Sequence, residues 1–165
     1  MEELDEGPPQ AAARENARRK ALAGAAHGGA GEVVLGVDTL VALDGRIWGK
    51  PRDEAAARAT LSRLSGRTHE VISGIAIVRE GGDVQLATET TEVTFRELDE
   101  ATLAWYVASA EWQGRAGGYA IQGRGGVLVR RLVGDYLNVV GLPVGALLEL
   151  WPGFAAFLAE RTSEH

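Results

Sequence analysis

Three features of this chain could do chemistry: an aspartate after a buried apolar run, a lysine between glycine and proline, and a glutamine among glycines. The run Val33 to Val37 stops at Asp38-Thr39, so it reads as a buried strand that delivers a carboxylate at its end. Fixed by a rigid element, such a group can hold a divalent cation or act as a base, and it can equally serve as a cap. In Trp48-Gly49-Lys50-Pro51, glycine permits close backbone approach and proline stiffens the chain, so Lys50 suits a phosphate contact as a point charge. A solvated surface lysine is the plainer reading of the same residues. Between Gly114 and Gly126, Tyr119, Ile121 and Gln122 lie among many glycines. Taken alone that is a flexible loop, yet a glutamine amide there could both donate to and accept from the edge of a base. The stretch lacks the Gly-Lys-Ser/Thr ending of a Walker loop and the strand-to-helix setting of a dinucleotide fingerprint.

Composition removes other chemistries. The chain has no cysteine, which excludes disulfides, thiolate nucleophiles and zinc-thiolate sites, and its three histidines are scattered. A formal net charge of −6 provides no basic field for a nucleic acid polymer, though a small anion needs only a few local cations. No Ser-His-Asp order or nucleophile elbow is present. The polar start reads as no secretory signal and no apolar run spans a membrane, so a cytoplasmic protein is expected. His69 reads as structural, Glu15 with Arg19 as an exposed helix pair, and Trp105, Tyr106, Trp112 and Trp151 as core or interface.

The elements that must position these residues form an α/β pattern. At 165 residues with 45% apolar and 24% charged side chains, the chain fits one globular domain. Residues 10 to 26 have helix composition and end in the glycine-rich stretch His27 to Gly31. Asp44-Gly45 predicts a hairpin between Thr39–Leu43 and Arg46–Trp48. A helix is expected over residues 51 to 64 with Asp53 as N-cap, and a central strand over residues 69 to 78. Gly81-Gly82 then turns the chain into a strand ending near Arg96. Asp99 caps a helix running to about Ala110, with Leu98 and Leu103 placed as a hydrophobic staple. A strand over residues 127 to 133, a loop holding Asn138, a helix opened by Pro143 and a break at Pro152 complete the pattern. No repeat or linker is evident, and residues 160 to 165 read as a frayed polar end. Helices flanking a mixed sheet are expected.

Taken in order, several segments resemble the Maf family. They are Glu15-Asn16-Ala17-Arg18-Arg19-Lys20-Ala21, Gly36-Val37-Asp38-Thr39-Leu40-Val41, Gly49-Lys50-Pro51 and Leu64-Ser65-Gly66-Arg67-Thr68-His69-Glu70-Val71. Val93-Thr94-Phe95-Arg96, Tyr106-Val107-Ala108-Ser109, Ala116 to Gly123 and Asn138-Val139-Val140-Gly141-Leu142-Pro143 follow. The resemblance runs from about Arg14 to Leu150. It implies a single domain over residues 1 to 165: an elongated mixed sheet in two lobes around a nucleotide cleft, like the inosine-triphosphatase fold. It also implies cleavage of a nucleoside triphosphate to the monophosphate and pyrophosphate, dependent on a divalent cation such as Mg²⁺ or Mn²⁺. Asp38 matches the family's catalytic aspartate, as base or metal ligand, and Glu2 its acidic residue near the metal. Lys20 and Lys50 match phosphate-binding lysines, and Thr39 and Gln122 match positions tied to substrate choice. Asp-Thr paired with Ile-Gln-Gly resembles the branch acting on dTTP and UTP rather than the one preferring 7-methyl-GTP. A homodimer is compatible with the resemblance.

The beginning of the chain departs from the pattern. Family members usually open with a strand and a Ser-x-Ser-Pro-Arg-Arg loop leading into a helix, a natural anion site. Met1 to Gly7 resembles the region after that helix. The expectation is a start assigned too late, with a shortened protein as the other explanation. The shortened form would carry the rival reading: a catalytically impaired nucleotide-binding or septum-regulating protein.

Overall fold

A computed structural model describes residues 3–29, 31–79 and 82–162. Five strands form one sheet in the order β2-β1-β3-β4-β5. The strands are β1 (Val34–Leu43), β2 (Arg46–Trp48), β3 (Thr68–Val78), β4 (Val84–Phe95) and β5 (Val129–Val133). The helices are α1 (Pro9–Ala25), α2 (Glu54–Leu64), α3 (Glu100–Ala108), α4 (Tyr136–Val140), α5 (Val144–Leu150) and α6 (Phe154–Thr162). The α/β class holds. Every strand pairing among the described residues is antiparallel, so this sheet is not mixed. The connections explain why. Asp44 (φ 52) and Gly45 (φ 75) make the tight β1–β2 turn, and β3 returns into β4 after Val78, with Gly81 outside the described residues. β2 and β3 flank β1 on either side and run the same way, with α2 as the crossover between them.

Alternation along β3 sorts the core into two layers. Ile72 and Ala76 face α1, where Ala12, Ala13, Ala17 and Ala21 pack on them. Val71 faces α2 and α3 in the largest cluster, with Leu61, Leu64, Phe95, Tyr106 and Leu128. Ile75 and Ile77 meet Ala146 and Leu147 of α5. A strand covered on both faces reads as a continuous apolar run, which is how β3 appears in the sequence.

Helix α1 lies unusually close to the sheet. A Cβ on Gly36 would overlap the carbonyl oxygen of Ala17 and sit 2.6 Å from the Ala21 nitrogen; one on Gly74 would overlap the carbonyl of Ala13. Glycine on the strands and alanine on the helix therefore set the distance between layers. Asp53 and Asp99 cap α2 and α3 as expected, accepting from the backbone N–H of Ala56 at 2.7 Å and Thr102 at 2.8 Å. Asn138 is not in a loop: it lies buried within α4, donating to the Val71 carbonyl and to Thr91 Oγ1, both at 3.0 Å. Those bonds tie α4 to the sheet, a stabilisation that local sequence does not reveal. Among the described residues no helix is long and apolar enough to cross a membrane.

Candidate active site

β2 pairs only with Val41–Leu43, so among the described residues the edge of β1 from Val34 to Leu40 has no strand partner on that side. A cleft of about 190 Å³ opens there, lined by residues of α1, β1, the segment before α2, the glycine-rich loop and α4. Asp38, Thr39, Lys20, Lys50 and Gln122 all line it.

Asp38 is not at the end of a strand. β1 continues through it to Leu43, and Asp38 pairs with Gly74 across the sheet. The apolar run stops at Asp38 because its side chain faces α1 and the open edge, not because the strand ends. At 4% exposure a carboxylate needs partners. Lys20 Nζ donates to Oδ1 at 2.5 Å and Asn16 Nδ2 to Oδ2 at 2.9 Å. Asn16 and Lys20 are one helical turn apart, beside the alanine stripe that presses α1 onto β1, so both reach the same carboxylate. Thr39 points to the opposite face and bonds Ser73 through the two hydroxyls at 2.8 Å.

Glu3 joins the two lysines. Its Oε1 lies 2.7 Å from Lys20 Nζ, and its Oε2 lies 3.0 Å from Lys50 Nζ. The result is an alternating chain of charges, Asp38, Lys20, Glu3, Lys50. The hydrogen bond from Lys20 is the largest influence on Glu3; burial opposes it, Lys50 assists, and the carboxyl is held below its ordinary pKa. Burial alone would lower the Lys20 pKa. Its bonds to Asp38 and Glu3 outweigh that, so the ammonium is held above the usual lysine value. Two ammonium groups gripping opposite oxygens of one carboxylate make an oxyanion site.

The donor set also fits a divalent cation. Asp38 and Glu3 both reach the Lys20 ammonium, so two hard oxygen ligands face one cationic position. Among the described residues no group of 3 or more His, Cys, Asp or Glu forms a complete metal cage. Two carboxylates are hard oxygen donors of the kind that Mg²⁺ or Mn²⁺ takes.

A family model described as Maf-like protein matches residues 1–153. The chain belongs to the Maf family. A dTTP/UTP pyrophosphatase of Pyrococcus furiosus is 45% identical over 119 residues, covering 72% of this chain and 62% of the relative. One from Paramagnetospirillum magneticum is 46% identical over 157 residues, covering 92% and 82%. A nucleoside triphosphate pyrophosphatase of Xylella fastidiosa is 45% identical over 148 residues, covering 88% and 78%. The chain thus spans from 62% to 82% of the lengths of these Maf relatives.

All five residues carried over from Maf motifs within the described chain come to one cleft. Glu2 lies outside the described residues, and the carboxylate found beside the lysines is its neighbour Glu3. The bond from Asn16 to Asp38 has no signature in the sequence beyond the spacing of four from Lys20, since an asparagine inside an alanine-rich helix does not announce its partner. Arg115 and Tyr119 also line the cleft. Tyr119 is held from behind by His69, whose Nε2 lies 2.8 Å from the Tyr119 hydroxyl. Burial lowers the His69 pKa to about 4, so the ring is neutral near pH 7.

Proposed function

We propose that the cleft hydrolyses nucleoside triphosphates, dTTP and UTP above others, to the monophosphate and pyrophosphate. One observation carries the reading: Lys20 and Lys50 grip a single carboxylate beside buried Asp38, in a cleft that Gln122 also lines. A triphosphate tail offers the same oxygens with more charge, so it can replace Glu3 between the two ammonium groups.

In this reading Asp38 orients the attacking water and takes its proton, while Lys20 and Asn16 keep the carboxylate from turning. As the water oxygen bonds to the α-phosphorus, the bond from that phosphorus to the bridging oxygen breaks, and pyrophosphate leaves with the electron pair. Lys20 and Lys50 hold the β and γ oxygens. Asp38, with Glu3 once the tail has freed it from the lysines, would hold a divalent cation, whose chemistry would be further neutralisation of the tail. Gln122 meets the edge of the base, where thymine and uracil present two carbonyls flanking an N–H that one amide can pair with.

The test is pyrophosphate release from UTP, dTTP, CTP and ATP with Mg²⁺ or Mn²⁺. Turnover is expected to favour UTP and dTTP, and Asp38→Asn should lower it roughly 10²- to 10⁴-fold. A wild-type rate in Asp38→Asn removes the aspartate from this role, and a wild-type protein that binds UTP without cleaving it removes the enzyme.

A further inference from the structure

Behind the cleft, a tyrosine and a glutamate hold both ends of the segment that carries Gln122. Tyr106, on α3 and 0% exposed, accepts the Ala120 N–H at 3.1 Å and donates its hydroxyl to Glu111 Oε2 at 2.9 Å. Glu111 in turn accepts the N–H of Arg124 on Oε1 at 2.9 Å and of Gly125 on Oε2 at 2.8 Å. Gln122 sits midway between Ala120 and Arg124, and Gly123 N–H closes back on the Ala120 carbonyl at 3.1 Å. Neither Tyr106 nor Glu111 lines the cleft, and neither is needed by the chemistry described above.

A glycine-rich segment left free would have to lose backbone entropy each time it met a base. These bonds impose that order beforehand. They are strong for their kind, because the acceptor is ionised. Burial pushes the Glu111 pKa up, but the N–H groups of Arg124 and Gly125 outweigh it and hold the carboxyl below the ordinary glutamate value. Burial is also the main reason the Tyr106 hydroxyl titrates above the normal tyrosine range, so it stays a donor.

We propose that Tyr106 and Glu111 are positioning residues for base selection: by clamping Ala120 on one side and Arg124–Gly125 on the other, they fix the Gln122 amide at the angle that favours a pyrimidine. The proposal rests on reading Gln122 as the base-contacting residue.

The test compares wild type, Tyr106→Phe and Glu111→Gln, with Leu103→Val as a control that weakens the packing of the same helix and removes no hydrogen bond to the loop. The readouts are kcat and KM for UTP and ATP, binding of the uncleaved α,β-methylene analogues of both, and Tm. Both loop variants should lose roughly tenfold in the UTP-over-ATP ratio, through a raised KM for UTP with ATP little changed. Leu103→Val should lower Tm and keep the ratio. Equal losses on both nucleotides, or a ratio unchanged in either loop variant, overturn the clamp as a selectivity device. If wild type cleaves neither nucleotide, the proposed activity fails by itself, and the binding ratio of the analogues still decides the clamp. A wild type without pyrimidine preference in either readout removes both the role of Gln122 and the proposal.

Discussion

The amide of Asn16 donates to Asp38 Oδ2 at 2.9 Å and also brackets Leu4, accepting its N–H at 2.8 Å and donating to its carbonyl at 3.0 Å. One buried side chain therefore orients the carboxylate and anchors the segment that brings Glu3 to the lysines. Asn16→Ala should cost about 1–3 kcal/mol, since it leaves buried partners unpaired, and should lower turnover by loosening Asp38 and Glu3 together. Urea unfolding and initial rates measure the two effects. Asn16→Asp should be worse than alanine for activity, because it faces Asp38 with a second negative charge. Activity in Asn16→Asp equal to wild type would contradict this account.

A second prediction concerns the seat of α1. With a Cβ on Gly36 overlapping the helix backbone at Ala17, Gly36→Ala must lift α1 or bend β1. Overpacking of this kind costs about 1–3 kcal/mol. Lys20 rides on the same helix, so the substitution should reduce turnover at least tenfold even at temperatures where the variant is fully folded. Circular dichroism fixes the folded fraction and a pyrophosphate assay gives the rate. A folded variant with normal turnover would show that the helix position is not what sets the Lys20–Asp38 geometry.

The legible part of this molecule was the part governed by local rules. Asp53 and Asp99 are caps because a short acceptor at an N-terminus satisfies backbone donors, and that is written in the residue types. Asp44-Gly45 forms its turn for the same kind of reason. Asp38 reads as a strand end from the sequence, yet β1 continues through it, because an inward charge interrupts an apolar run whether or not the strand stops. Asn138 reads as loop from the sequence because its bonds go to Val71 and Thr91, distant residues that periodicity cannot bring together. Glu3 and Asn16 matter only through their spatial neighbours, and a helix-rich stretch of Ala, Arg and Glu gives no sign of which polar residue faces in.

Lys50 permits a cleaner separation of binding from stability. Its ion pair with Glu3 is exposed, 48% on the lysine side and 36% on the glutamate side, so removing it should change stability by well under 1 kcal/mol. In the proposed reading its contact with a triphosphate is electrostatic. Lys50→Ala should raise KM for UTP roughly tenfold or more, with Tm unchanged, and the effect should shrink as ionic strength rises. Rates at low and high salt decide the matter. A Lys50→Ala enzyme with normal KM at low salt would place the phosphates elsewhere.

His69 predicts a pH dependence that Glu3 and Glu111 do not share. Burial depresses its folded pKa to about 4, against an ordinary value of 6.5 in the unfolded chain. Between those values the unfolded chain binds a proton that the folded one excludes, so stability rises with pH across this window and falls on acidification from 6.5 toward 4. The full loss amounts to about 3 kcal/mol. Glu3 and Glu111, whose pKa values are also depressed, lose their stabilisation only below their unfolded values near 4.5, so the interval from pH 6.5 to 5 belongs to His69. Urea midpoints measured across that interval should drop in wild type and stay nearly flat in His69→Phe, which keeps a ring beside Phe95 and Tyr119 but cannot titrate. An identical slope in both proteins would show that His69 is not the group responsible.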